Sequence, residues 1–202
     1  MKWKNLIFQF KISLQDISPT IWRRIQAPAK YSFWDMHVAI QDSMGWFDCH
    51  LHAFRLKKRH GRKMIEIGIP MEDFDEGTVL EGWDENISDY FLEPGMTASY
   101  DYDFGDSWRH DIVFEGILLK EKDIKYPCCT DGQRACPSED CGGPPGYDRL
   151  LKIIADPHND EYESTTEWLS EWYGKYDPEV FDGKNIKFDD PKKRWRQAFP
   201  KQ

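Results

Sequence analysis

The sequence predicts an α+β fold: an antiparallel or mixed sheet built from hairpins, with helices packed on one of its faces. Three observations carry that expectation. Apolar residues alternate with polar ones in several short runs, the period of a strand with one buried face. Other runs place apolar residues at helical spacing behind capping residues. Aromatic residues make up 15% of the 202 residues, with 9 Trp, 9 Tyr and 12 Phe, and large rings favour pleated, buried surfaces.

In chain order, Leu6, Phe8, Phe10, Ile12 and Leu14 alternate with Ile7, Gln9, Lys11 and Ser13 and predict a strand. A turn over Asp16 to Pro19 leads to a second strand through Ile21, Arg23 and Ile25, completing a hairpin. Ser32 and Asp35 approximate a capping box, opening a helix that runs to Met44 and stops at Gly45. His50 to Leu56 and Met64 to Ile69 predict two further strands joined by a basic loop. This order of hairpin, helix and strands is β-grasp-like in pattern. A short helix is expected near Ile87 to Phe91. The clearest hairpin follows, Thr97 to Phe104 and Ser107 to Leu118, reversing at Gly105-Asp106. Lys125 to Gly146, rich in Pro, Gly and Cys, predicts an irregular loop. Helices are then expected over Tyr147 to Ala155, after a Ser164/Glu167 capping box, and from Asp190-Pro191. The whole predicts one domain over residues 1–202, loosely divided near Asp123 into a sheet-rich part (1–123) and a loop-plus-helix part (124–202).

The net charge of -9 repels phosphate backbones and argues against general nucleic-acid binding. Charge is unevenly spread: Arg55 to Lys63 holds only bases among its charged residues, and Glu72 to Glu93 only acids. The first is expected to be a solvated loop facing an acidic surface. No run of apolar residues is long enough to span a membrane, and Met1 to Phe10 lacks the pattern of an export signal. Five cysteines, Cys49, Cys128, Cys129, Cys136 and Cys141, suit thiols or metal ligands in a reducing compartment, so a cytoplasmic location is expected.

Three segments stand out: Trp46 to Phe54 (WFDCHLHAF), Tyr100 to His110 (YDYDFGDSWRH) and Arg134 to Gly143 (RACPSEDCGG). In this order they resemble the plasmid pRiA ORF-three-like family, named after an open reading frame on a root-inducing plasmid. The resemblance runs from Ile7 to about Phe181 and implies a shared fold. It implies no activity, because the family has none established. Some members carry resolvase-like or lipase-like labels, and neither suits these residues. Gly105-Asp106-Ser107 falls in an expected hairpin turn rather than on a strand-to-helix elbow, and Asp156 and His158 lack the spacing of a triad. The only basic tail, Lys192 to Arg196, is short and reads as a solvated helix face.

Chemistry has three candidate places. With a two-residue turn at Gly105-Asp106, Asp101 faces His110, as a base with its orienter, as metal ligands together with Asp103, or as a cross-strand ion pair that fixes register. His50 and His52, two apart on a strand, share a face and offer two imidazoles to a metal, with Asp103 and Asp106 as further ligands. Packing against an aromatic core is the alternative role for both rings. Cys129, Cys136 and Cys141 form a second, alternative metal set that would hold zinc and order their loop. The usual Cys-x2-Cys spacing is missing there, so buried thiols are the other reading. The Gly142-Gly143-Pro144-Pro145-Gly146 run matches no nucleotide-binding pattern, and Glu139 and Asp140 before it are expected to cap or anchor the loop. Trp168, Trp172 and Tyr173 belong to the core or to a patch for a partner. The expected function is a non-enzymatic binding or adaptor domain that engages a protein partner. A metal-dependent enzyme, such as a hydrolase with a His/Asp site, is the alternative.

Overall fold

The computed structural model describes residues 3, 5–57, 63–70 and 79–200. Eight strands form one open mixed sheet: β1 (Leu6–Leu14), β2 (Trp22–Pro28), β3 (His52–Lys57), β4 (Met64–Gly68), β5 (Val79–Glu81), β6 (Thr97–Tyr102), β7 (Trp108–Leu119) and β8 (Cys128–Gln133). Their order is β5-β4-β3-β6-β7-β1-β2-β8. Every pairing is antiparallel except β4 with β5. Among the described residues four α-helices complete the fold: α1 (Phe33–Met44), α2 (Gly143–Ala155), α3 (Tyr162–Tyr173) and α4 (Pro191–Ala198).

The alternation in β1 is realised as read. Phe8, Phe10, Ile12 and Leu14 are buried, whereas Gln9, Lys11 and Ser13 face outward. Inward residues of β1, β2, β3, β6 and β7 share one core with Phe33, Met36 and Ile40 of α1, Tyr147 and Leu150 of α2 and Leu169 of α3. The helices therefore cover the inner face. Phenylalanines lock the layers: Phe8 lies 4.7 Å from Phe114, Phe10 lies 5.0 Å from Phe91, and Phe33 lies 5.0 Å from Phe54. Each fully buried ring contributes roughly 1.5–3 kcal/mol of transfer free energy. The outer face is held by a polar ladder instead. Gln26 donates to Gln9, Gln9 and Arg24 both donate to Glu115, and Arg24 reaches Asp131. The three-residue edge strand β5 offers little backbone for unwanted pairing.

The hairpin, helix, hairpin order of the first part is present, but its two hairpins are not neighbours: β6 and β7 lie between β3 and β1. The helix start at Ser32 is a complete capping box with Asp35, and Gly45 ends α1 at φ 81°, a conformation that favours glycine. Asp190 caps α4 through the Lys192 amide, with Pro191 in the first turn.

Four expectations need correction. The segment Lys125 to Gly146 is not wholly irregular: β8 pairs along β2 from Gln26–Cys128 to Trp22–Gln133, and α2 opens at Gly143. Cys-Cys-Thr alternates too briefly to read as a strand, and its order comes from the partner edge. The Ser164/Glu167 capping box does not form, because α3 has already begun at Tyr162 and the Ser164 hydroxyl donates back to Glu161 O. The helix near Ile87 is a single 3-10 turn, Ile87–Asp89. Finally, the β6–β7 turn is longer than two residues, which bears on the site below. The basic run expected to be a solvated loop falls mainly on residues 58–62, outside the described residues, as do residues 72–78 of the acidic run.

Candidate functional site

Asp103 decides the geometry at the end of the sheet. Its amide donates to Leu51 O, outside the β6–β7 ladder, at 3.0 Å. Its Oδ1 accepts from the amides of Gly105 and Asp106 at 3.0 and 3.2 Å, and the chain closes through Ser107 N to Asp103 O. Asp103 and Ser107 sit at φ 53° and 57°, a region that aspartate tolerates better than most residues. The ladder therefore closes at Tyr102–Trp108 and pairs Tyr100 with His110 and Asp101 with Arg109.

That register separates Asp101 from His110. Successive side chains on a strand alternate faces, so Asp101 points to the outer face, where it accepts from Arg55. His110 is fully buried inside, its Nδ1 3.1 Å from Tyr100 O, with the rings of Trp46 and Tyr100 beside it. Burial holds its pKa down at about 4, against smaller opposing effects of backbone hydrogen bonds. A neutral, enclosed imidazole without a carboxylate is a core group. The expected pair is not formed.

His50 and His52 also part. β3 begins at His52, leaving His50 in the loop after α1. The His52 ring is buried and stacked on His37, with centroids 3.5 Å apart and planes 8° from parallel. Desolvation, then the neighbouring His37, push its pKa well down. His37 in turn bridges Tyr100 Oη and Asp48 Oδ1, both at 2.7 Å. His50 turns the other way: its Nε2 lies 2.9 Å from Asp140 Oδ1 and 3.6 Å from Asp103 Oδ2.

The three potential ligand atoms of His50, Asp103 and Asp140 lie within 4.8 Å of one another, and theirs is the only such trio among the described residues. Asp103 is nearly buried, while the side chains of His50 and Asp140 are 30% and 69% exposed, so the group is rooted in the protein and open to solvent. Two carboxylates against one imidazole leave local negative charge that a divalent cation would neutralise.

Asp106 is turned to structural use: its Oδ2 accepts from Gly142 N at 3.0 Å. The glycines of the 142–146 run make that contact possible. A Cβ on Gly143 would stand 2.2 Å from Asp106 O, and one on Gly146 would stand 1.9 Å from Cys141 O. Their spacing serves close packing rather than phosphate binding.

The cysteines do not converge. Cys129 Sγ meets Asp131 O, and Cys136 is buried between Arg23 and Met44. Cys141 interacts with Ser138, and burial pushes its thiol up to about 12. Among the described residues these thiols form no group of three potential ligands.

Sequence reasoning gives Glu139 and Asp140 only the part of loop caps or anchors; Glu139 does anchor the loop, but the approach of Asp140 to His50 was missed. Buried Glu139 accepts from Phe47 N and from Tyr102 Oη, and Tyr102 Oη also accepts from Cys49 N at 3.0 Å. Burial and that carboxylate raise the Tyr102 pKa strongly, so the phenol keeps its proton for the bond. Trp46 Nε1 donates to Pro137 O at 2.9 Å. The 46–54, 100–110 and 134–143 segments are thus stitched into one corner. A cleft of about 670 Å³ opens beside it, lined among others by Trp34, Asp48, His50, Leu51, Arg194 and Phe199. Exposed Phe47, Leu51, Phe104 and Trp172 lie on the same loops and on α3, where Phe47 meets Trp172 at 5.7 Å. Trp168 and Tyr173 are only partly exposed and pack on the core. No helix among the described residues is long and apolar enough to cross a membrane.

Comparison with known proteins finds relatives along almost the whole chain. The chain is 28% identical over 191 residues to the uncharacterised protein y4hQ of Sinorhizobium fredii, covering 94% of each chain. It is 38% identical to a crystal structure of a protein of unknown function, MM3350, from Methanosarcina mazei Go1. That match has a TM-score of 0.82 and covers 91% of this chain and 99% of the other. The family model of the plasmid pRiA4b ORF-3-like protein matches residues 6–185, spanning every strand and the three segments of the corner, and the chain belongs to that family.

Proposed function

We propose that the corner of His50, Asp103 and Asp140 binds a divalent cation such as zinc or manganese, and that the chain is a metal-dependent enzyme of the hydrolytic kind. The observation that carries this reading is the approach of three ligand atoms, from three loops distant in sequence, to within 4.8 Å. Three protein ligands at an open site leave coordination positions for water or substrate, the arrangement of catalytic rather than structural sites. A cation there would acidify a bound water and make it a nucleophile at neutral pH. The cleft beside His50 is of a size to take a small organic substrate.

The test is metal binding by the intact chain after treatment with chelator, followed by calorimetry with Zn2+ and with Mn2+. One ion per chain is expected, with affinity reduced at least about tenfold in His50→Ala and Asp140→Ala. His52→Ala and Cys136→Ala should leave the stoichiometry unchanged. Failure of the folded wild type to bind either ion more tightly than about 0.1 mM would exclude the reading.

A second reading, a module that engages a protein partner without catalysis, draws support from the exposed rings around the same corner. Phe47 is 50% and Trp172 58% exposed, unusual for large apolar side chains so close together.

A further inference from the structure

The C-terminal helix α4 sits on the body in a way that reveals what that surface recognises. None of its residues is fully buried, and it follows an irregular stretch, residues 174–190, interrupted only by a 3-10 turn at Gly183–Asn185. Its hold is nevertheless specific. Trp195 packs edge-on against Trp34 at 5.3 Å and against Trp83 at 4.5 Å, and Phe199 lies 5.6 Å from each of those rings. Trp34 Nε1 donates to Pro191 O at 3.1 Å. Arg194 Nη2 donates to Asp42 Oδ1 at 2.8 Å, Asp42 Oδ2 accepts from Asp189 N at 2.8 Å, and Asp48 Oδ2 stands 3.6 Å from Arg194 Nη1.

The receiving groove belongs to the domain. Trp34 and Asp42 are eight residues apart on α1 and so share one stripe of that helix, with Asp48 on the next loop and Trp83 alongside. All four lie inside the matched residues 6–185, whereas α4 lies beyond them. The groove also wants a cation. With α4 seated, the side chains of Asp42 and Asp48 are 6% and 11% exposed and Arg194 stands beside both, so a cation in the groove offsets carboxylates held away from water. The occupant matches: Lys192, Lys193, Arg194 and Arg196 are all basic, in a chain of net charge -9.

We propose that this acidic–aromatic groove is a docking site for a partner protein's basic helix bearing an arginine followed by an aromatic residue, and that α4 occupies it in cis until such a helix displaces it. The groove adjoins the cleft beside His50, which α4 and the residue after it wall through Arg194 and Phe199, so the test reads peptide binding and cleavage rather than metal binding. Tethering gives α4 an effective concentration near the millimolar range, so a free competitor binds weakly while α4 is seated. An exposed helix on an irregular tether is a low-stability element that can leave without unfolding the core.

The test titrates a fluorescein-labelled peptide of residues 188–200 into the full-length chain and follows anisotropy. Binding to the wild type should be weak. The double variant Arg194→Glu/Trp195→Ala, which removes the cis contacts, should bind the peptide at least about tenfold more tightly. Adding Asp42→Lys should abolish that gain, and a scrambled peptide of equal charge should not reproduce it. If Asp42→Lys does not fold, Trp83→Ala reads the same contact. Cleavage within residues 188–200 by proteinase K, located by mass spectrometry, should accelerate in the double variant. Equal affinity for wild type and double variant, equal binding of the scrambled peptide, or a tail still protected in the double variant would each overturn the proposal.

Discussion

Acidification should destabilise this chain through His110, and the size of the effect follows from its surroundings. The ring is fully buried, its Nδ1 is bonded to Tyr100 O, and Nε2 has no hydrogen-bond partner among the described residues. Its pKa falls from 6.5 to about 4, chiefly by desolvation. Between those values the unfolded chain carries a proton on this residue that the folded chain does not. The stabilisation is therefore complete above about pH 6.5 and is lost as pH falls toward about 4. At 1.36 kcal/mol per unit the full span is worth roughly 3 kcal/mol, of which about 2 should be lost between about pH 7 and pH 5. His52, also depressed by burial, adds in the same direction. Asp35 and Asp42, whose pKa values burial raises, act with opposite sign. The assay is urea unfolding at both pH values for the wild type and for His110→Gln. The variant is expected to be weaker throughout, yet its stability should change with pH by about 2 kcal/mol less than that of the wild type. Parallel pH dependence in the two proteins would refute the assignment of His110 as a buried neutral ring.

Two further substitutions probe the corner. Gly143→Ala forces a Cβ to 2.2 Å from Asp106 O at a residue with φ +67°; it should cost more than about 2 kcal/mol in urea unfolding and lower the cation affinity of the neighbouring loop. Asp101→Ala, on the outer face beside Arg55, should change stability by no more than about 1 kcal/mol and leave the His110 titration, followed by imidazole proton resonances, where it was. A shift of that titration would place Asp101 back beside the ring.

The strands and helices that were legible in the sequence are those whose order is local. Phe8 to Leu14 alternates strictly, and Ser32, Asp35 and Gly45 carry the start and stop of α1 in their own side chains and backbone. β8 was not legible, because Cys128 to Gln133 is strand only by virtue of pairing with β2. The same distinction runs through the site. His50 and Asp103 stand in segments distinctive enough to be singled out, and they do meet. Asp140 sits in a Pro/Gly/Cys-rich run where the cysteines draw attention. Its position depends on Glu139 and Pro137 being tied to loops some ninety residues earlier, which no local pattern reports. His52 was misplaced for a subtler reason: its spacing from His50 is right for a shared face, but the strand starts only at His52.

One residue of register separates the expected site from the observed one. In a two-residue turn at Gly105-Asp106, Asp103 would face Trp108 within the ladder and spend its backbone groups on β7. The longer loop takes Asp103 out of the ladder. One carboxylate oxygen then satisfies the amides of Gly105 and Asp106, which fixes the side chain, and the other is left facing His50. The same shift carries Trp108 and His110 onto the inner face with Tyr100 and Tyr102, where aromatic packing rewards them, whereas the two-residue register would have buried either Asp101 beside His110 or Arg109 beside Tyr102. Burial of the rings thus selects the register, and the register frees the carboxylate. A cation site at this corner would owe its third ligand to the hydrophobic core beneath it.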